Sequence, residues 1–232
     1  MVEKITTLGI IRSGNHAICY WIKPQMVGEV KFLNNCQYFR KGNKNASEYN
    51  LIGFENVELS KYLERKQEWF NIIGGKCKTI VILRNPWNIV ASHIKHSGKT
   101  FRSPKTIINR IPTIYPLWCD YYKHYINNTE DLTFIIYDKW FNDIDYRKSI
   151  SLKLGLNFID IGLNFVAEEG DGSSFDGRNF NGKAQNMDVL RRYENIDNKE
   201  MQDYMNSEIG LELKEKWNNL CDLEKINELK IK

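Results

Sequence analysis

The chain has 232 residues, 42% of them hydrophobic and 27% charged, and a formal net charge of +4. A chain of this length buries roughly 70% of the surface its unfolded form exposes, so it needs neither disulfides nor a structural metal to fold. The composition excludes wholesale disorder and a fibrous repeat, and the small positive surplus suits an anionic small ligand while being too weak to mark a nucleic-acid binder.

Five cysteines (Cys19, Cys36, Cys77, Cys119 and Cys221) are odd in number and form no CxxC or Cys/His pattern, so no metal site is expected. A reduced, cytoplasmic protein is the simplest reading. The N-terminus has neither a basic n-region nor an apolar h-region with a cleavage site. The longest apolar runs fall far short of the roughly 20 residues that span a bilayer.

Along the chain, Ile5–Ile11 is apolar and rich in β-branched residues, as in a buried strand. It stops at Arg12-Ser13-Gly14. Asn15 can cap a helix with Ile18, Trp21 and Ile22 on its apolar face, and Pro24 ends it. Val30–Leu33 reads as extended and Arg40–Asn50 as a polar loop. Leu51–Phe54 is a second strand with Glu55 just after it, followed by a helix over about Val57–Ile73 that Gly74-Gly75 closes.

Thr79–Leu83 is the clearest buried strand. It delivers Arg84, and Asn85 and Pro86 then suit the cap and first position of a helix continuing to His96. Residues 97–112 read as a basic surface loop with a short helix, and Pro116–Ile126 as a helix. Leu132–Tyr137 is another strand, with a helix at about Tyr146–Leu154. Residues 167–185 are rich in Gly, Ser, Asp and Asn, as in a long functional loop. The last forty residues are helical in pattern, so the chain reads as one domain over 1–232 with a helical segment at about 197–232.

Alternating strands and helices imply an α/β fold: three layers, a mostly parallel central sheet, helices on both faces. Ligands bind outside the carboxyl ends of such strands. Arg12-Ser13-Gly14, Glu55, Arg84 and Tyr137-Asp138 all lie at or just after predicted strand ends, so they should share one edge.

Gly9 to Gly14 has the spacing of a phosphate-binding loop between strand and helix. Its backbone N–H groups and the helix dipole favour an anion. The Lys-Ser/Thr pair of nucleoside triphosphatases is replaced by Asn15-His16. Ordinary magnesium-dependent ATP or GTP hydrolysis is therefore disfavoured, while Arg12 supplies positive charge from within the loop. A second unit, Arg84 to Ser92, offers an arginine fork with a hydroxyl in the following helix, as suits a phosphate monoester.

With these two motifs the chain resembles the sulfotransferase family that uses 3′-phosphoadenosine 5′-phosphosulfate (PAPS). Arg12–His16 (RSGNH) is similar to that family's 5′-phosphosulfate loop, and Arg84-Asn85-Pro86 through Ser92 to its 3′-phosphate motif R-N-P-x-x-x-x-x-S. Tyr137-Asp138-Lys139-Trp140 followed by Leu154-Gly155-Leu156 resembles a further family segment. Leu51–Glu55 stands where the family strand ends in a catalytic histidine. Gly172–Arg178, with Lys183 nearby, resembles the late loop that folds over the nucleotide. The sequence departs from the family by carrying Asn15, His16 and Ala17 after the glycine, and it lacks a clear R-K-G triplet in the late loop.

The resemblance implies a P-loop NTPase-like sulfotransferase fold with PAPS as sulfuryl donor, PAP as product and no metal. It implies that Arg12, Ser13, Gly14, Asn15, His16, Ala17, Arg84, Ser92, Tyr137, Arg178 and Lys183 hold the nucleotide. Arg12 would also stabilise charge, and Glu55 or His16 would take the acceptor proton. The acceptor, a small molecule, sugar or lipid, is not legible, nor is the oligomeric state. Two other functions fit parts of the pattern: a P-loop small-molecule kinase, and a nucleotide-binding module without catalysis. His93 and His96 read as a helix face, Lys95–Arg110 as a solvated basic run, and Trp118, Tyr121, Tyr122 and Tyr125 as core.

Overall fold

The strands Lys4–Gly9 (β1), Phe32–Leu33 (β2), Leu51–Glu55 (β3), Cys77–Leu83 (β4) and Leu132–Ile136 (β5) form one sheet in the order β2-β3-β1-β4-β5. Every neighbouring pair is parallel. The computed structural model describes residues 4–34, 46–99, 111–168, 172–196 and 199–231. The expected loop at Arg40–Asn50 lies outside these up to residue 45, and the basic run Lys95–Arg110 from residue 100 onward.

Side chains alternate along each strand, and both sheet faces are covered. Leu8, Ile52, Phe54, Val81 and Leu83 pack beneath the helices Leu59–Glu64 (α2), Lys66–Ile73 (α3), Pro86–Lys99 (α4), Ile111–Ile126 (α5) and Glu208–Ile231, the last helix of the chain. Ile5, Leu51, Ile80, Ile82 and Ile135 face Asn15–Ile22 (α1), Tyr137–Asn142 (α6) and Ile144–Lys153 (α7). In β4 alone, Ile80, Val81, Ile82 and Leu83 are fully buried, each worth about 1.5–3 kcal/mol of apolar burial. The chain continues through Lys199–Met205 (α8) into the last helix (α9).

Several elements differ from the sequence reading. The first strand ends at Gly9, because Ile10–Ser13 turns, with the Ser13 N–H on the Ile10 carbonyl at 2.8 Å. The helix expected over 57–73 breaks at Arg65, and the break sets Trp69 on Phe54 and Tyr62, with ring centroids 5.5 and 6.3 Å apart. The helix expected at Pro116 starts five residues earlier, at Ile111. Tyr137 begins a helix instead of ending a strand. Tyr137 and Trp140, three apart on one helix face, are both buried. Asp143 then caps α7, its Oδ1 accepting from the N–H groups of Asp145 and Tyr146.

β1 is the central strand. The chain passes from it to β2 and β3 on one side and then crosses over to β4 and β5 on the other. The loops after β1 and β4 therefore diverge at the point where such sheets open a crevice.

Candidate functional site

The loop after β1 is shaped by its glycine and by partners from other elements. Arg12 has φ of 72° and Gly14 of 92°. A Cβ on Gly14 would lie 2.2 Å from Cε2 of Tyr137, so both backbone conformation and the approach of that ring require glycine. Asn56, after β3, donates its N–H to the Gly9 carbonyl at 3.0 Å and accepts from the Ile11 N–H at 2.9 Å. The Ile11 carbonyl accepts from His93 Nε2 at 3.1 Å, and the Arg12 carbonyl from Arg84 Nη1 at 3.0 Å.

The Ile11 and Arg12 carbonyls are thus held by side chains from β4–α4. The first N–H groups of α1 precede its first helical bond, from Ile18 to the Gly14 carbonyl, and α1 has no side-chain cap. Donors without helical partners at a helix start favour an anion. Asn15, expected to cap, is instead the first helical residue; its carboxamide turns inward, accepting from Thr7 Oγ1 at 2.6 Å.

A cavity of about 370 Å³ opens here. Its walls include Arg12, Gly14, Asn15, His16 and Ala17 from the first loop, Glu55 from the end of β3, Arg84 and Ser92 from β4–α4, and Tyr137 after β5. Ser173 and Ser174 close it from the late loop, and Arg192 from the short helical turn Arg192–Asn195 beyond it. The four strand ends singled out in the sequence therefore meet in one crevice. Ser13 does not line it; its hydroxyl is fully buried behind the loop and has no hydrogen-bond partner.

Arg84 is buried. Its Nη2 donates to the Val189 carbonyl at 2.7 Å, and its guanidinium carbon stands 4.5 Å from the Tyr137 ring centroid. Nε of Arg84 is buried without a hydrogen-bond partner, which leaves a charged donor unanswered inside the protein. Ser92 Oγ meets Ser174 Oγ at 2.9 Å, joining α4 to the late loop. Tyr137 stacks on Phe141, with centroids 6.3 Å apart.

In the late loop the two basic residues selected by resemblance are not at the cavity. Arg178 is exposed and pairs with Glu168 at 2.8 Å, and Lys183 is exposed beside the Phe180 ring. Arg192, which the sequence reading missed, takes that place. It is buried, with Nη2 on Asp176 Oδ2 at 2.7 Å and on Ser173 Oγ at 3.0 Å. Burial, and then the neighbouring Arg84 charge, push its pKa down. Only the strand-end rule could have pointed to the crevice; Arg192 follows no strand and carried no motif.

Glu55 is 8% exposed, and burial raises its pKa. His16 and Arg12 oppose that rise. His16 donates Nε2–H to Asn34 Oδ1 at 2.6 Å, so a proton it accepts goes to Nδ1. Asp138, behind Arg84, is pushed up to about 6 by burial, against the Arg84 charge and the Asn85 N–H. Among the described residues no three His, Cys, Asp or Glu side chains gather into a metal site, and no helix is long and apolar enough to cross a membrane.

No protein-family model matches the chain, and no curated protein does. Among solved structures it is similar to mouse sulfotransferase SULT7A1 complexed with PAP. That match has a TM-score of 0.60 at 15% identity and covers 92% of this chain and 88% of the other. The α/β architecture expected from the sequence is thus the fold of a known sulfotransferase.

Proposed function

We propose that the protein transfers a sulfuryl group from PAPS to a hydroxyl or amine of a small-molecule, sugar or lipid acceptor. One observation carries this reading: two separate anion-binding units, Arg12–Ala17 and Arg84–Ser92, open into one crevice. The likeness of the fold to a sulfotransferase complexed with PAP supports it.

The residues present fit a doubly phosphorylated nucleotide. The N–H groups at the start of α1 and the Arg12 guanidinium suit the 5′ end. The unanswered Arg84 Nε, Ser92 and Arg192 suit a 3′-phosphate. The bound nucleotide would supply the sulfuryl group and a stable leaving anion. Arg12 and the loop N–H groups would stabilise charge collecting on the leaving side. Glu55, its pKa raised by burial against the opposing influence of His16 and Arg12, would take the acceptor proton, with His16 Nδ1 as the alternative base. Cytoplasmic location and a single domain belong to the same reading; none of the four described cysteines is in a disulfide.

Thermal unfolding with 3′,5′-adenosine bisphosphate or Mg-ATP, followed by incubation with labelled PAPS and a metabolite extract, tests it. The bisphosphate should stabilise by roughly 2.7 kcal/mol at 100 times its Kd, and label should pass to an acceptor. Stabilisation by Mg-ATP alone would establish the kinase reading. Bisphosphate binding with no labelled product from any extract would leave a binding module.

A further inference from the structure

The first loop carries a residue in a backbone conformation that its side chain disfavours. The Ser13 N–H on the Ile10 carbonyl closes a four-residue turn over Ile10–Ser13. The third residue of that turn, Arg12, has a positive φ of 72°. Turns with a positive φ at that position favour glycine, because a Cβ is strained in the left-handed region. Such strain persists only where the surroundings over-determine the backbone.

Three successive peptide units of the turn are each held by a side chain from elsewhere. In the first, the Ile11 N–H is accepted by Asn56 Oδ1 at 2.9 Å. In the second, the Ile11 carbonyl accepts from His93 Nε2 at 3.1 Å. In the third, the Arg12 carbonyl accepts from Arg84 Nη1 at 3.0 Å. Peptide units are rigid planes, and the φ and ψ of Arg12 are the two rotations between the second and the third. His93 and Arg84 therefore fix Arg12 from outside, and Asn56 anchors the unit before it.

Neither Asn56 nor His93 lines the crevice, yet each suits its grip. Asn56 follows Glu55, which pairs with Gly9 in the β1–β3 ladder, and its own N–H bonds the Gly9 carbonyl at 3.0 Å. Its φ of 56° lies in the left-handed region, which asparagine tolerates better than most residues. His93 is buried on α4, next to Ser92. A carbonyl oxygen can only accept, so the imidazole is the donor.

We propose that His93 and Asn56 are positioning residues for Arg12. With Arg84 they hold the turn in its strained form, and Arg12 at the crevice wall, before any ligand arrives. Which anion Arg12 meets rests on the function proposed above; the clamp does not. A loop ordered on folding need not be ordered again on binding, which favours affinity.

The test is amide hydrogen exchange at Ser13, followed by NMR without nucleotide, together with calorimetric titration of 5′-AMP. His93→Leu removes the donor at similar bulk. It should speed Ser13 exchange and weaken 5′-AMP, each about tenfold, while the β1 and β3 amides exchange as in the wild type. His93→Gln, whose side-chain amide can donate in the same place, should return both to within about twofold. Asn56→Gly keeps the left-handed backbone and the bond to Gly9 and loses only the contact with Ile11. It should act in the same direction by about threefold, because Asn56 is exposed. Loss of the strand signals would show that His93→Leu does not fold, and Asn56→Gly then carries the test. Unchanged Ser13 exchange in the folded variants overturns the clamp, as does faster exchange with 5′-AMP affinity unmoved. Faster exchange in a protein whose wild type binds no 5′-AMP upholds the clamp and removes the proposed nucleotide instead.

Discussion

Arg84 reaches back 72 residues to donate Nη1 to the carbonyl of Arg12, at 3.0 Å. The loop after β1 and the Arg84–Ser92 unit are therefore one hydrogen-bonded object, and Arg84 is at once a wall of the crevice and a strut of the first loop.

Arg84→Ala should accordingly lose more than a ligand contact. It removes the bonds to the Arg12 and Val189 carbonyls and the stack on Tyr137. Stability should fall by about 2–4 kcal/mol, from two charge-assisted hydrogen bonds lost in the interior. Affinity for 5′-AMP should drop together with that for the 3′,5′-bisphosphate, the latter more. Urea unfolding and calorimetric titration with both nucleotides measure this; an effect confined to the bisphosphate would mean that the strut does not matter.

The late loop offers a clean contrast. Arg192→Ala should weaken bisphosphate binding more than tenfold, because it takes a buried charge from the crevice wall and leaves Asp176 without its ion-pair partner. Arg178→Ala, which breaks an exposed pair with Glu168, should change affinity less than twofold. Equal losses would restore Arg178 to the site.

Gly14→Ala should abolish nucleotide binding. Its φ of 92° alone costs a Cβ-bearing residue about 1–2 kcal/mol, and its Cβ would lie 2.2 Å from Tyr137 Cε2. Adding Tyr137→Ala should recover part of the stability, because it relieves the collision and leaves the backbone strain. Melting temperatures of the single and double variants separate the two.

Asp138 gives a pH dependence of definite sign. Its folded pKa, about 6, lies above the ordinary 3.8. Its contribution is therefore fully favourable below pH 3.8 and is lost as pH rises through 6. Above that, the ionised buried carboxylate is a penalty of up to ~3 kcal/mol. Asp138→Asn should stabilise the protein at pH 8 and make little difference near pH 3.5, as followed by guanidinium unfolding at both values.

The sheet and the crevice were legible in the sequence because β-branched runs end in polar residues. Thr79–Leu83 followed by Arg84, and Leu51–Phe54 followed by Glu55, each locate a strand and its functional edge at once. The Asn85-Pro86 start of α4 was equally plain, and Asn85 Oδ1 does accept from the Trp87 N–H at 2.9 Å. What could not be read was tertiary. Asn15 has the chemistry of a cap, but Thr7 offers its carboxamide a better partner within the core. Arg178 lies in the polar late loop and Arg192 in the short helical turn after it, and only the packing of Ser173 and Asp176 decides which is drawn inside. The break at Arg65 serves a cluster of rings contributed by two other segments, which no local pattern records.

The Trp118 indole N–H is fixed to the Arg84 carbonyl at 2.9 Å, and its ring lies parallel to Tyr122. Indole emission follows the field at that nitrogen, so the turn that carries Arg84 comes with its own chromophore. A spectrum recorded as the crevice fills, compared with that of Trp118→Phe, turns an interior hydrogen bond into an optical gauge of occupancy that needs no attached dye.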